Sequence, residues 1–357
     1  MGGKWDFAAL WSRMTGNKLP VAETVEAELE PESVRGVADM VASRQAAIAR
    51  AEQEEDWKSA ARSAAELCNV WLLMGEWQAI VSLVQRAEAW LRRQEDPLTR
   101  LYLHSRLAVA RHRFGQLAES QRLFQEAEQW QGERQTRYQW LIGLPGSSYC
   151  ELLLDLAREA GDWERVLHRS QYSQKVVKNI FAVAMDWLAQ GRALAGLGRE
   201  EEARVALQQA VAMMRKANRR LFLPEFLLQQ GHFLRRCGEA ERAHALWQEA
   251  WQIADSAGLP PLRVDCQLLA GHLAVDAGET TTAETAMTAA GEGIATLGYG
   301  QRQAEWMILR ARLRHHQGRT EEATTYWQAS RALVEAKQQW GVWMMWQREL
   351  RQPEADQ

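Results

Sequence analysis

The chain has 357 residues and a formal net charge of −3 at pH 7, with 46% hydrophobic and 25% charged residues. A near-neutral chain lacks the polybasic character of most nucleic-acid-binding proteins, so nucleic acid is not an expected partner. No stretch reaches about 18 uncharged apolar residues, so no membrane partner is expected either. The four cysteines form no CxxC pair and the amino terminus is unlike a secretory signal, which together predict a cytoplasmic protein with reduced thiols.

Residues 1–32 differ from the rest and are predicted to form an N-terminal extension. The segment WDFAALWSRM (5–14) has the pattern of a short amphipathic helix, and an acidic run follows it at 22–33. This extension is interpreted either as a docking arm or as a cap on the helical array, and the sequence leaves both open. A long helix is expected from about Val34 to Glu54.

The remaining chain is dominated by strong helix formers and is punctuated by regularly spaced glycines. Proline is scarce, with 8 residues, and alternating β-branched runs are absent, so strands are not expected. The last four glycines of the series lie 40 residues apart, which indicates a stacked repeat array. Each glycine is predicted to end a helix in the left-handed conformation. The series comprises Gly75, Gly115, Gly161, Gly198, Gly238, Gly278 and Gly318.

Small residues recur at fixed distances from these glycines. Ala203, Ala206 and Ala210 follow Gly198 on one helical face, and similar residues follow the other glycines. A small residue also stands seven positions before the turn in three units, at Gly191, Gly231 and Gly271. Because small residues let two helices approach closely, each unit is predicted to be an antiparallel helix pair.

The resulting pattern resembles the tetratricopeptide repeat. W-x3-G-x2-L-x3-G-x4-A-x6-A is found at Trp187, Gly191, Leu194, Gly198, Ala203 and Ala210, although the period is near 40 residues instead of the usual 34. The segments 141–167 and 191–203 are similar to the C-terminal arms of bacterial STAND-type regulatory ATPases and MalT-like activators. The resemblance covers roughly residues 57–336 and implies an all-α, right-handed superhelical solenoid in a bacterial protein; the whole array is predicted to occupy residues 33–337. STAND proteins carry an ATPase module, but this sequence contains no GxxxxGK[ST] loop.

A basic ladder follows the small position of successive units. In tetratricopeptide proteins this position faces the concave groove, so the resemblance implies a basic inner surface suited to an acidic segment, a chain terminus or a phosphate. Alternatively, these residues pair with Glu225, Asp265 and Glu305 near the start of the same helices. The predicted groove residues are Arg192, His232, Arg235, Arg236, His272, Arg312, His315 and His316.

Residues 338–357 form a separate C-terminal segment rich in tryptophan. Trp340, Trp343 and Trp346 are spaced three apart, with two methionines between the last two. The segment is interpreted as a capping helix on the last pair, or alternatively as an interface for a partner or a second copy.

No enzyme or metal signature is found in the sequence, so neither catalysis nor a cofactor or metal is expected. His315 and His316 are adjacent, and neighbouring helix residues point about 100° apart, which makes a poor chelate. The sequence therefore predicts a non-catalytic scaffold, adaptor or sensor subunit that binds a protein segment in its groove and regulates a partner. The alternative is a regulator whose self-association responds to a small anionic ligand. The sequence does not predict the oligomeric state.

Overall fold

The computed structural model describes the backbone of residues 34–351 and the side chains of residues 36–347. Within residues 34–351 the chain forms sixteen α-helices and one 3-10 turn, and no strand. The predicted extension at residues 1–32 lies outside the described residues. In chain order the helices are α1 (Val34–Gln53), α2 (Trp57–Met74), α3 (Trp77–Arg93), α4 (Pro97–Arg113), α5 (Leu117–Arg134), α6 (Gly143–Leu156), α7 (Ala160–Val176), α8 (Ile180–Leu197), α9 (Glu200–Lys216), α10 (Leu223–Arg236), α11 (Ala240–Ser256), α12 (Pro260–Asp276), α13 (Thr280–Leu297), α14 (Gln303–His316), α15 (Thr320–Lys337) and α16 (Trp340–Arg351).

Helices α2 to α15 form seven antiparallel pairs, each an even-numbered helix followed by an odd-numbered one. Every even-numbered helix from α2 to α12 also contacts the even-numbered helix of the next pair. The even-numbered helices therefore form the inner layer of the superhelix. The predicted all-α superhelical solenoid of helix pairs is confirmed.

The predicted turn glycines cap the inner helices, with one exception. Gly75, Gly115, Gly198, Gly238, Gly278 and Gly318 all have φ between 74° and 79°. The prediction for Gly161 is wrong, because this residue lies inside α7, which begins at Ala160. Glu159 and Asp162 form a capping box there, so the turn between α6 and α7 is closed by side chains instead of by a glycine.

The predicted tight helix crossings are confirmed at the small positions. A Cβ atom added at Gly191 would lie 2.6 Å from Leu207 of the paired helix. Added at Gly271, it would lie 2.6 Å from Leu309 of the next inner helix. Contacts this short leave no space for a side chain, so these positions fix how closely neighbouring helices pack.

The superhelix closes on itself. Inner helix α2 of the first pair contacts α12 of the sixth pair, and α4 contacts the 3-10 turn at Gly300–Arg302. At this closure Trp77 is 1% exposed and packs on Tyr299, with ring centroids 4.8 Å apart. A Cβ at Gly300 would lie 2.0 Å from the carbonyl oxygen of Phe114, so the two backbones approach too closely for any other residue.

The last helix departs from the stack. Helix α16 contacts α15, but it also contacts α6 and α8 in the middle of the array. It therefore crosses the opening of the superhelix. The proposed division into an array at 33–337 and a capping segment at 338–357 stays a prediction. Within residues 34–351, no helix is both long enough and apolar enough to cross a membrane.

Candidate functional site

The predicted basic ladder lies on consecutive inner helices, with Arg192 on α8, His232 on α10, His272 on α12 and Arg312 on α14. The rings of His232 and His272 meet edge to face with centroids 6.0 Å apart. Arg312 Nη1 donates a 3.0 Å hydrogen bond to His272 Nδ1. The structure thus places the four side chains in the order that the repeat predicts.

The ladder is not a row of free cations. Arg192 lies 3.6 Å from Asp155, Arg312 pairs with Asp276, and His232 Nε2 lies 3.8 Å from Glu305. Burial, together with the nearby guanidinium of Arg235, lowers the pKa of both His232 and His272 well below the ordinary value. Both imidazoles are therefore uncharged at neutral pH.

The other four predicted groove residues lie in different places. Arg235 is buried and donates a 2.8 Å hydrogen bond to Asp276. Arg236 lines an inner cavity, whereas His315 and His316 are exposed at the end of α14. These two histidines are therefore not buried with the ladder. Partner binding by the eight predicted residues stays a prediction.

A cluster of polar side chains joins the ladder to the first pairs, and we call it the inner polar cluster. Asp155 is its centre, because Gln301 Nε2 donates to its Oδ2 at 2.7 Å and His112 Nε2 lies 2.8 Å from the same oxygen. Burial acts to raise the pKa of Asp155, but the hydrogen bond with His112 holds this pKa well below its usual range. The members of the inner polar cluster are His112, Arg113, Glu151, Asp155, Arg192, Glu225, Asp265, Gln301, Arg302 and Glu305.

Two arginines of the cluster make bidentate contacts with carboxylates. Arg113 donates to Glu151 at 2.7 and 3.3 Å. Arg302 donates to Asp265 at 2.7 and 3.2 Å and lies 3.5 Å from Glu305. Paired and hydrogen-bonded charges of this kind are tolerated in a protein interior and fix the side chains in place.

Glu225 is different from the other carboxylates of the cluster. It makes no hydrogen bond or ion pair with any of the residues that the structure describes. Burial raises its pKa to about 7, with a further contribution from Glu151, while Arg113 and Arg192 act in the opposite direction. Glu225 is thus partly protonated near neutral pH and is available to a ligand.

Two cavities of about 120 Å³ each lie on either side of Glu225 and Asp265, which line both. The first, the polar cavity, lies beneath α16 and is bounded by α6, α8, α10, α12 and α14. Its wall carries three arginines and four carboxylates, so it is not the basic surface that the ladder predicts. These charged residues are Arg192, Arg236, Arg302, Asp155, Glu225, Asp265 and Glu305.

The second, the apolar cavity, is bounded by the inner helices α2, α4, α6, α8, α10 and α12. Two of its polar wall residues, Asn69 and Ser148, make no hydrogen bond with any described residue. Unpaired groups on a cavity wall are available to a ligand, whereas most buried polar groups in proteins are already paired. The apolar part of the wall includes Leu72, Leu73, Phe181, Met185 and Phe222.

The three predicted C-terminal tryptophans all contact the array. Trp346 is 6% exposed, and the guanidinium carbon of Arg312 lies 4.8 Å from its ring centroid. Trp343 meets Trp327 with ring centroids 6.2 Å apart, and Arg158 lies over Trp340 at 4.6 Å. Helix α16 therefore covers the polar cavity and seats on the last pair.

Among residues 36–347, no group of three or more His, Cys, Asp and Glu side chains is arranged to hold a metal ion. Burial raises the pKa of the Cys68 and Cys150 thiols to about 12, which makes them poor nucleophiles.

Sequence reasoning missed Asn69, His112, Arg113 and Gln301. These residues precede the regular part of the array or lie in a link, so no repeat marks them. The acidic ladder was visible, because Glu225, Asp265 and Glu305 are spaced 40 residues apart. The alternative prediction that the basic ladder pairs with these carboxylates stays a prediction: His232 lies 3.8 Å from Glu305 but is uncharged, and Asp265 pairs with Arg302, which is outside the ladder.

No protein-family model and no curated protein sequence matches the chain. Among solved structures it is similar to a Rap protein complexed with Competence and Sporulation Factor, with a TM-score of 0.59 and 11% identity, covering 81% of this chain and 79% of that one. It is also similar to the apo form of RapI, with a TM-score of 0.50 and 18% identity over 73% of this chain and 93% of that one. These similarities show the fold, a tetratricopeptide-like helical repeat.

A STAND protein with a tetratricopeptide repeat sensor from Pyrococcus horikoshii overlaps less well. Its TM-score is 0.45 at 14% identity, covering 97% of this chain and 58% of that chain.

Proposed function

We propose that this protein is a non-catalytic scaffold or sensor that binds an extended segment of another protein in its concave interior and regulates a partner. The observation that carries this proposal is the apolar cavity with its unpaired Asn69, Ser148 and Glu225. An extended segment needs partners for its main-chain N–H and C=O groups as well as pockets for its side chains. The amide of Asn69 offers a donor and an acceptor, and Glu225 offers an acceptor or a cation partner.

Fold similarity supports the proposal of a binding protein. A protein of this fold forms a complex with Competence and Sporulation Factor. Repeat arrays of this kind commonly use their concave surface for binding.

Cavity size supports a role in regulation. Each cavity of about 120 Å³ is smaller than the roughly 300 Å³ at the lower end of ligand pockets. A bound segment has to separate the inner helices, so occupancy favours a more open superhelix than the free protein adopts. Through this change of shape, a segment bound in the interior alters the outer surface that a partner contacts.

Selection of peptides from a phage-displayed random library, on the immobilised full-length protein, tests the proposal. A selected peptide is then synthesised and its affinity measured by calorimetry. Asn69→Ala should weaken binding about tenfold, because it leaves main-chain groups of the peptide unpaired. Leu73→Trp should weaken it further by filling the cavity.

The matched control is Gln78→Ala, at an exposed position on the outer helix α3. It should leave affinity unchanged. Two results would contradict the proposal: peptides that bind Asn69→Ala and Leu73→Trp as tightly as the wild type, or a selection that enriches no peptide.

The alternative of a small anionic ligand has less support, because four carboxylates outnumber three arginines around the polar cavity. A thermal-shift screen with small carboxylates and phosphates separates the two functions. A ligand of the folded state raises the melting temperature by mass action, and a rise that Arg236→Ala abolishes would favour the anion.

A further inference from the structure

Four residues in the left-handed conformation, spaced 40 apart, each link an outer helix to the next helix of the chain. These are Asn218, Gly258, Gly298 and Gln338, with φ between 55° and 63°. Glycine and asparagine adopt this conformation readily, whereas glutamine does so at a steric cost. The link before α16 is therefore the most strained of the four.

Hydrogen bonds of its own side chain hold Gln338 in this turn. Its Nε2 donates to the carbonyl oxygen of Glu335 at 2.7 Å, and its Oε1 accepts from Trp340 Nε1 at 3.3 Å. Only Gln338 and Gln339 separate α15 from α16. If Gln338 became helical, α15 and α16 would form one helix over 320–351 that extends about 20 Å beyond Lys337.

The surface that receives α16 is built entirely from the array. Gly341 lies so close to the carbonyl oxygen of Leu154 that an added Cβ would be 2.0 Å away. Gln339 Nε2 donates to the carbonyl oxygen of Gln301 at 2.7 Å. Trp346 packs against His272, Arg312 and Trp327. We call this surface the α16 dock, and a second copy of the chain presents the same one.

If α16 leaves the array, its apolar side chains become exposed to water, which is unfavourable. Trp340, Trp343, Met344 and Met345 are partly buried against the array, and Trp346 is buried. Opening exposes all five side chains to water. The open form therefore buries the most apolar surface when its α16 packs on the α16 dock of a second copy. The contacts made there repeat those of the closed monomer, and the hinge strain is relieved.

We propose that α16 is exchanged between two copies of this chain, giving a reciprocal dimer in equilibrium with the closed monomer. In this dimer each α16 covers the polar cavity of the other copy. Short, strained hinges favour such exchange, and the closed two-fold arrangement limits it to dimers. The proposal is independent of the proposed ligand, because it concerns the free protein.

Substitutions at the hinge test the proposal on the full chain. Gln338→Gly removes the strain and should favour the monomer, whereas Gln338→Ala keeps the strain, removes both side-chain hydrogen bonds and favours a continuous helix. Light scattering coupled to gel filtration, over a concentration series, measures dimerisation. The association constant of the dimer should be at least about tenfold larger for Gln338→Ala than for Gln338→Gly. Asn218→Ala, at the same position of an earlier link, leaves Gln338 and α16 unchanged and should dimerise no more than the wild type.

Cross-linking distinguishes exchange from other modes of association. Trp343→p-benzoylphenylalanine is placed in the Gln338→Ala chain, and isotopically heavy and light chains are mixed, equilibrated and irradiated. Exchange predicts heavy-to-light cross-links near Trp327, and adding Trp346→Ala should remove the dimer. Equal dimerisation of the alanine and glycine variants, cross-links within one chain only, or dimers that survive Trp346→Ala would each overturn the proposal.

Discussion

Arg113, in the second helix pair, donates a 2.7 Å hydrogen bond to the side chain of Gln301, which precedes the seventh pair. Gln301 in turn donates to Asp155 in the third pair at 2.7 Å. One amide side chain therefore connects three separate parts of the array. It lies where the first pairs meet the last, so the closure depends on a polar contact in addition to the packing of Trp77.

Gln301→Leu should destabilise the fold. The substitution keeps a similar volume but removes a hydrogen-bond partner from both Arg113 and Asp155 in a buried site. Arg113 keeps Glu151 and Asp155 keeps His112, so the cost is that of two lost hydrogen bonds to charged groups. Such bonds contribute about 1.5–3 kcal/mol each, so a loss of about 3 kcal/mol is expected in urea unfolding. Gln129→Leu, at an exposed position of α5, is the control and should change stability by no more than about 0.5 kcal/mol.

Asp186 should make the folded protein less stable as the pH rises. It is 1% exposed, accepts a 3.1 Å hydrogen bond from Ser147, and forms no ion pair with any described residue. Burial raises its pKa to about 7 from an ordinary value near 3.8. Between these values the unfolded state is ionised while the folded state keeps its proton, so the contribution to stability falls as pH rises from 3.8 to 7.

Asp186→Asn should remove this dependence. The free energy of unfolding of Asp186→Asn should exceed that of the wild type by an amount that grows from about pH 4 to about pH 7 and then levels off, reaching on the order of 4 kcal/mol. Asp39→Asn, at an exposed position of α1, should track the wild type. Denaturation curves at several pH values measure the difference, and a constant gap between Asp186→Asn and wild type would contradict the prediction.

The thiols should differ sharply in reactivity. Cys68, Cys150 and Cys266 are buried, and burial raises the pKa of each. Cys237 is only partly buried. A thiol reagent at about pH 8 should therefore label about one cysteine in the native protein and all four after unfolding. Rapid native labelling of Cys150, identified by mass spectrometry, would be inconsistent with this packing.

Charge reversal in the basic ladder should lower the stability of the fold, and this effect should precede any effect on partner binding. Arg312→Glu places a carboxylate beside Asp276 and under Trp346, so a loss of about 2–4 kcal/mol is expected. His315→Glu, at an exposed position of the same helix, should have little effect. Thermal unfolding measures both. An Arg312→Glu protein as stable as the wild type would show that the ion pair contributes little.

Removal of residues 338–357 should expose Trp327 and His272 and cause aggregation, measured by static light scattering against concentration. The physical reason is that α16 covers these side chains and the polar cavity. If the truncated chain remained soluble and monomeric, the capping role of α16 would be excluded.

The repeat itself was predictable from sequence because its signals are local. A glycine that ends a helix and a small residue at a crossing each act within a few residues, and six of the seven turn glycines behave as predicted. The prediction for Gly161 was wrong because a glycine near the expected spacing does not show whether side chains cap the turn instead. Glu159 and Asp162 close it here.

The candidate site was predictable only in part because it depends on closure. The positions of Arg192, His232, His272 and Arg312 follow from the repeat, but their partners depend on how far the superhelix turns. That rotation sums small angles over seven pairs, which no short pattern encodes. The meeting of Arg113 with Gln301, 188 residues later, is therefore visible only in three dimensions.

Closure of the array also has a consequence for how the protein folds. An open stack of repeats gains stability unit by unit, and its ends fray independently of its middle. Here the contact of α2 with α12 joins parts of the chain that are roughly 200 residues apart. Forming it requires a large entropic cost of loop closure before the contact is made, so folding should be slow for a helical protein. Once formed, the contact ties the first repeat to the sixth, and the chain should unfold in a single cooperative transition.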